Sequence, residues 1–467
     1  MEGKAVFSDC KIGQICVSGG RPPPRSAEGG RTLLAWCGDC ANRISWPPDK
    51  PPVRTPTRWR RGSRTAGIVM TSLERKAARY KRRKAKREAK RAEFIRKTCT
   101  IENVAGMNHL CWSSKKCTNG TYWKPSIQKY MASELFHNAE TRLNILDGVD
   151  IRKGFVCFTV RERGKLRDIK SVHVGERVPQ KSYNHFVLMP LLTRNIIFDN
   201  GACLPGKGTS FALARCEDAL RDYYRKYGDN DGWVFVFDLS NYFGSIPHKP
   251  LIEQAERDYS DPRLQTMGGR FVSAFPGEYG VGLGSETSQT HGVSYPNAID
   301  HYIKDQCGVK DYGRYMDDGA AVCRTKDEAI SIMHGVERLA EQLGLTLSKT
   351  KTRIVKLSKG FRFLKTFFIL TETGKIVKKV WHKTVTRERR KLKKFAELVK
   401  SSVLTVPYVL SMFKSWLGGI WRKSSRKTIW SMKLLFIQLF PTERSILKWK
   451  PKTKPLRSFA KMPTRAA

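Results

Sequence analysis

Trp233-Val234-Phe235-Val236-Phe237-Asp238 is an uninterrupted apolar run closed by a carboxylate. That is the pattern of a central strand, buried on both faces, that delivers Asp238 at its end. Farther along, the stretch from Tyr312 through Asp317 and Asp318 to Val322 reads as a hairpin with two adjacent acids at its turn. Neighbouring carboxylates repel unless cations or a shared proton neutralise them. With Asp238 they suit two divalent ions about 3.5–4 Å apart, an arrangement that activates a 3′-hydroxyl and stabilises a pyrophosphate leaving group. Hard oxygen donors favour magnesium.

Phe237-Asp238-Leu239-Ser240-Asn241-Tyr242-Phe243 resembles the first palm motif of reverse transcriptases, and Tyr315-Met316-Asp317-Asp318 resembles their YMDD box. Between them, Gly280 to Gln289 is similar to the Gly-x-x-x-Ser-Gln motif that positions template and incoming nucleotide. Three motifs in family order imply an α+β right-hand polymerase fold of fingers, palm and thumb with a basic helical N-terminal extension. They imply an RNA-directed DNA polymerase with Asp238, Asp317 and Asp318 as catalytic and metal-binding residues, Mg2+ as cofactor and Mn2+ able to substitute. The implied partners are an RNA template, structured and non-coding, its DNA or cDNA product, dNTPs and an accessory protein.

Weaker matches extend the resemblance over roughly Arg152 to Phe440. Lys165 and Arg167, with Arg177 in Glu176-Arg177-Val178-Pro179-Gln180, resemble the fingers cations that grip a triphosphate; taken singly, each reads equally as a solvated surface charge. Leu347-Ser348-Lys349-Thr350-Lys351-Thr352 resembles the Leu-x-x-x-Lys-Thr motif of the palm. The nucleotide-binding set implied is Lys165, Arg167, Arg177, Phe243, Gln289 and Lys351. The template- and primer-binding set is Gly284, Ser288, Tyr315, Met316, Phe363 and Leu364. Phe363-Leu364-Lys365 is similar to the Phe-Leu-Gly of the primer grip, with Lys365 where glycine is usual. Phe243, five residues past Asp238, stands where the family has an aromatic gate against a ribose 2′-hydroxyl; its other reading is a core ring beside a strand.

The elements that must carry these residues divide as follows. Residues 1–69, punctuated by Gly-Gly and Pro-Pro, are expected to be low-complexity and disordered, with Cys37-Gly-Asp-Cys40 as half of a zinc pattern and Met70 as an alternative start. Residues 70–150 form the basic helical extension, in which Thr71 to Lys97 runs without Gly or Pro. There Ile127, Met131 and Leu135 predict one amphipathic helix, and Trp112, Tyr122 and Trp123 are expected in the core. Residues 151–232 are the fingers, with a strand-turn-strand from Phe155 to Ile169. Residues 233–374 are the palm and 375–467 a basic helical thumb and tail.

Charge narrows the partners. The chain has 467 residues and 87 Lys+Arg against 42 Asp+Glu, a net charge of +45 that calls for a polyanion. The absence of a long apolar run or signal pattern predicts no membrane and a cytoplasmic location. The 12 cysteines, mostly placed singly in segments such as Phe155-Val156-Cys157-Phe158, predict reduced core thiols. The competing reading is a maturase-like nucleic-acid-binding protein of a group II intron. Three intact acids, costly to bury without a cation, weigh against it. No aspartate follows Asp327, so no RNase H carboxylate cluster is expected, and no Cys/His finger is visible near the C-terminus. Asn138-Ala139 lacks the histidine of the retron signature. Ser288-Gln289 resembles the diversity-generating and the defence-associated enzymes of retroelement origin equally, so antiviral defence and diversification both stay open.

Overall fold

The computed structural model describes residues 71–162, 165–420 and 426–451. The expectations for residues 1–69, including the zinc half-pattern and the start at Met70, lie outside them. The first helices are α1 (Ser72–Thr98), α2 (Ile101–Ala105), α3 (Met107–Thr118), α4 (Pro125–Ala132) and α5 (Glu134–Leu146). Basic α1 buries none of its residues. Its self-repulsion is offset by i,i+4 pairs, Lys84–Glu88 at 3.9 Å and Lys97–Glu93 at 2.7 Å. Arg91 ties it to the buried carboxylate of Asp258 at 2.8 Å, and Phe94 and Ile95 rest on the neighbouring core.

Two expectations fail in this region. The helix through Ile127 breaks at Ser133, whose ψ of 40 leaves the helical range, so Ile127 is buried while Leu135 opens a new helix with its side chain exposed. Tyr122 and Trp123, each 58% exposed, are surface residues because, among the described residues, nothing packs over the loop between α3 and α4.

β1 (Phe155–Glu162) and β2 (Lys165–Val172) pair antiparallel from Phe155↔Val172 to Glu162↔Lys165. A two-stranded hairpin has little to bury against. Val156, Phe158 and Val160 are exposed, and so is Cys157, contrary to the core thiol expected there. The hairpin base is anchored by Lys170 N–H donating to the Leu283 carbonyl at 3.1 Å and by Phe155 stacked on Phe275 at 5.0 Å. The described cysteines are free thiols; Cys99, Cys216 and Cys323 are the buried ones.

There follow α6 (Val174–Tyr183), a π-turn at Asn184–Leu188, α7 (Met189–Leu192), α8 (Thr209–Tyr227), β3 (Trp233–Asp238), α9 (Tyr242–Ser245), α10 (His248–Asp258) and α11 (Pro262–Ser273). Next are α12 (Glu286–Ser294), α13 (Asn297–His301), β4 (Tyr312–Tyr315), β5 (Asp318–Cys323), α14 (Lys326–Gln342) and β6 (Arg353–Lys356). The sheet runs β4-β5-β3-β6, antiparallel throughout. Strand β3 is central and covered on both faces, as its unbroken apolar run requires. Phe235 and Phe237 pack with Ala329, Ile332 and Val336 of α14, while Val234 packs with Leu220 of α8 and with Phe361 and Phe368.

The latter two belong to a second sheet, β7 (Phe361–Phe363), β8 (Thr366–Leu370) and β9 (Ile376–Val380). The segment after Lys375 therefore begins as a strand rather than a helix, because the β-branched run Ile376-Val377 pairs with β8. Helices α15 (His382–Lys400), α16 (Val406–Ile420) and α17 (Arg426–Leu439) then close a separate core, with Phe413 stacked on Phe436 at 4.6 Å. Among the described residues no helix is long and apolar enough to cross a membrane.

Candidate active site

Asp238 ends β3 directly opposite Asp318, the first residue of β5. They continue the row of cross-strand pairs Val234↔Val322 and Val236↔Ala320, so both carboxylates leave the sheet on one face. Asp317 occupies the turn before Asp318. That turn is only two residues long, since Tyr315 already pairs with Asp318, and Met316 takes a φ of 55 to close it. The Asp317 carbonyl accepts from Leu239 N–H at 3.1 Å, which pins the turn to the end of β3.

Asp238 is only 4% exposed. Lys351 Nζ donates to both of its carboxylate oxygens, at 2.6 and 2.7 Å. Lys351 is brought there by a turn in which the Ser348 carbonyl accepts from Lys351 and Thr352 N–H, while Ser348 N–H donates to the Asp238 carbonyl at 2.8 Å. Burial, followed by the charges of Asp317 and Asp238, pushes the Asp318 carboxyl up to about 7. Burial and then Asp238 also raise Asp317, against the opposing pull of Lys351 and Arg167. The site is one of crowded carboxylates short of positive charge.

A hard divalent cation fits this donor set. Asp238, Asp317 and Asp318 offer carboxylate oxygens at adjacent strand ends; Asp317 and Asp318 have raised proton affinity, first from burial and then from carboxylate repulsion, and a cation relieves that repulsion. The group is not closed around one point: among the described residues no three His, Cys, Asp or Glu side chains converge as a metal cage. Lys351 holds the oxygens of Asp238 that such a cation would take.

The sequence reading missed the support beneath the turn. Arg314 on β4 is fully buried and pairs bidentately with buried Asp300, Nε to Oδ1 at 2.8 Å and Nη2 to Oδ2 at 2.7 Å. It also donates to the Met316 carbonyl at 2.8 Å and the Val293 carbonyl at 2.8 Å, and Tyr312 Oη donates to Asp300 at 2.7 Å. Strand alternation offered a signal, because Arg314 shares the inward parity of Tyr312. Nothing local marked Asp300 as its partner.

The other expected residues fall into distinct places. Phe243, half-buried on α9, packs with Ala202, Val293, Met316 and Tyr315 beside the carboxylates. Its ring lies against Gly292, where an added Cβ would meet it at 3.0 Å. Gln289 is exposed on α12 and accepts from the Cys203 thiol at 3.7 Å. Ser288 is buried, its hydroxyl without a hydrogen-bond partner among the described residues. Gly284 is required by packing: at φ 120 a Cβ there would lie 2.6 Å from the Lys170 carbonyl oxygen of β2.

On the hairpin, Arg167 is exposed and its field reaches Asp317. Lys165 opens β2, and its side chain lies outside the described residues. Arg177 binds Ser171 Oγ at 3.1 Å and the Val172 carbonyl at 2.9 Å, so it clamps the hairpin exit onto α6. Phe363 is a core ring; what projects from its hairpin is the turn Leu364-Lys365, both residues with positive φ. That backbone explains why glycine suits the position Lys365 fills.

Residues 194–366 match the family described as reverse transcriptase (RNA-dependent DNA polymerase). They take in the three carboxylates, Lys351, Phe243, Gln289, Phe363 and Leu364, while Lys165, Arg167 and Arg177 precede them. No curated protein matches the chain in sequence. Among solved structures, telomerase from Candida albicans, in complex with a TWJ fragment of telomeric RNA, is similar at 12% identity with a TM-score of 0.38. That similarity covers 62% of this chain and 59% of the telomerase chain.

Proposed function

We propose that this chain, which carries a reverse transcriptase domain at residues 194–366, copies an RNA template into DNA from dNTPs. The observation that carries the reading is the direct pairing of Asp238 with Asp318 on the two central strands, with Asp317 in the adjoining turn. Asp238, Asp317 and Asp318 would hold Mg2+, with Mn2+ as a substitute. An ion held there would supply Lewis-acid activation of a primer 3′-hydroxyl and positive charge against departing pyrophosphate.

The protein's own groups divide the remaining work. Arg167, whose charge already acts on Asp317, and Lys351 are charge-assisted donors for a triphosphate. Phe243 supplies an apolar wall beside Met316 under the sugar, and Gln289 offers an amide to the template-nucleotide pair. Residues 151–232 serve as fingers, 233–374 as palm and 375–467 as thumb, with the Leu364-Lys365 turn toward the primer. Basic α1 and α15 bind RNA and duplex phosphates.

Ser288-Gln289 supports an origin in a bacterial or phage retroelement, of the diversity-generating or defence-associated kind, acting in the cytoplasm on a structured RNA. Sequencing the nucleic acid that copurifies with the chain names the template and separates those two settings. The core of the proposal is tested by Asp238→Ala and Asp317→Ala. Each should abolish primer extension while RNA binding persists; undiminished extension by both ends the assignment.

A further inference from the structure

A second cluster of chemistry lies away from the carboxylates, where α3 packs on α6 and the π-turn that follows it. His109 stacks on Phe186 with ring centres 3.7 Å apart and planes 11° apart, and Trp112 stacks on His185 at 4.1 Å. Phe186 meets the edge of Trp112 at 5.4 Å and stands nearly perpendicular to His185 at 4.8 Å, so the four rings form one contiguous cluster, a tile of stacked and edge-on rings. It is not core: His185 is exposed and the other three rings are half-buried.

Cations border the tile. Lys116, one turn along α3, holds Nζ 5.5 Å from the centre of the Trp112 ring, and Lys181 Nζ lies 6.0 Å away. Past the end of α3 the same combination recurs, with exposed Trp123 under Lys124 Nζ at 5.5 Å. The tile also adjoins the template motif. Lys181 pairs with Glu286 at 2.7 Å, in the first turn of the helix whose next turn presents Gln289.

An acidic protein surface would engage the lysines but leave the rings unused. A nucleic-acid duplex would likewise offer phosphates while its bases stay stacked inside. Only an unpaired strand presents base faces and phosphates together, and base-on-ring stacking tolerates any sequence, as a general copying enzyme needs.

We propose that the Trp112–His185–Phe186 tile and its lysines, continued by Trp123 and Lys124, bind single-stranded RNA, namely the unpaired template ahead of the site of synthesis. The proposal rests on the polymerase reading above for what the strand is doing there, but the binding site itself does not depend on catalysis. Partial cover by the neighbouring rings and the charge of Lys181 lower the basicity of the His185 imidazole, which favours the neutral ring.

The experiment uses the full chain and the exposed pair His185→Ala/Trp123→Ala, whose truncation opens no core. Binding is measured for an unstructured RNA of about a dozen nucleotides and for an RNA duplex of equal length. The double variant should bind the single strand about ten- to a hundredfold more weakly, and the duplex less than about twofold more weakly. In primer extension, KM should rise for templates with a long unpaired 5′ segment and stay unchanged for templates that end just past the primer. Unchanged single-strand binding, or an equal loss on both ligands, overturns the proposal. The fate of the polymerase reading is separable: Asp238→Ala should bind the single strand normally, so loss of extension in that variant with binding intact supports both claims.

Discussion

Lys351 Nζ sits between the two carboxylate oxygens of Asp238, at 2.6 and 2.7 Å, where a divalent cation would need to bind. The ammonium is half exposed while the Asp238 carboxylate is buried, so a cation taking those oxygens would have to displace Lys351. Lys351→Met removes the competitor. Binding of Mn2+ to the nucleotide-free protein, followed by its paramagnetic signal, should tighten several-fold while primer extension slows. Weaker Mn2+ binding in Lys351→Met would show that the lysine organises Asp238 rather than competing for it.

The pH dependence of stability follows from Asp318. Burial and two neighbouring carboxylates raise it to about 7 in the folded chain, whereas an unfolded aspartate titrates near ~4. Between those values the folded state keeps a proton that the unfolded state has lost, so stability falls as pH rises through that window. In cation-free buffer the denaturation midpoint should decline across it. Asp318→Asn cannot ionise and should flatten the decline, being more stable at neutral pH by a few kcal/mol at most. The prediction fails if the two pH profiles run parallel.

Arg314 and Asp300 are both fully buried, and Arg314 reaches on to the Met316 carbonyl of the turn that carries Asp317. Asp300→Asn leaves the guanidinium short of a counter-charge and should cost about 3–5 kcal/mol. Arg314→Lys keeps the charge but not the planar fork. It should fold, with kcat reduced about tenfold or more and the KM for dNTPs little changed. Full kcat in a folded Arg314→Lys would show that β4 and β5 hold the turn unaided.

Phe243 packs beside Met316 and against Gly292. If its ring walls off the sugar, Phe243→Ala should raise ribonucleotide incorporation by on the order of 10²–10³ relative to deoxyribonucleotides. Gly292→Ala, which brings a Cβ to 3.0 Å from the ring, should shift that ratio more modestly. A ratio unmoved in Phe243→Ala makes the residue a core ring and nothing more.

Several features were legible because they are local. An unbroken apolar run ending in Asp238, and a turn bearing Asp317 and Asp318 between short strands, announce themselves within a dozen residues. The strand pattern from Phe155 to Ile169 and the Gly-free basic helix at Ser72–Thr98 were equally readable. Even Arg314 carried a sign in its parity with Tyr312.

What the local pattern cannot encode is the identity of neighbours. Lys351 meets Asp238 across 113 positions of sequence, and Asp300 meets Arg314 across 14 with a strand order between them. The first contact follows from β6 pairing with β3 and the second from α13 lying against β4, choices settled by which faces the whole chain can bury. Exposure is decided the same way. Phe158 and Trp123 have the composition of core residues, yet among the described residues no other element lies over the two-stranded hairpin or the loop after α3. The sequence by itself determined the candidate carboxylates and the period of the strands that carry them. The tertiary structure alone decided their counter-charges, the buried pair under the turn and which apolar surfaces stay open, since pairing and burial are properties of elements distant in the chain.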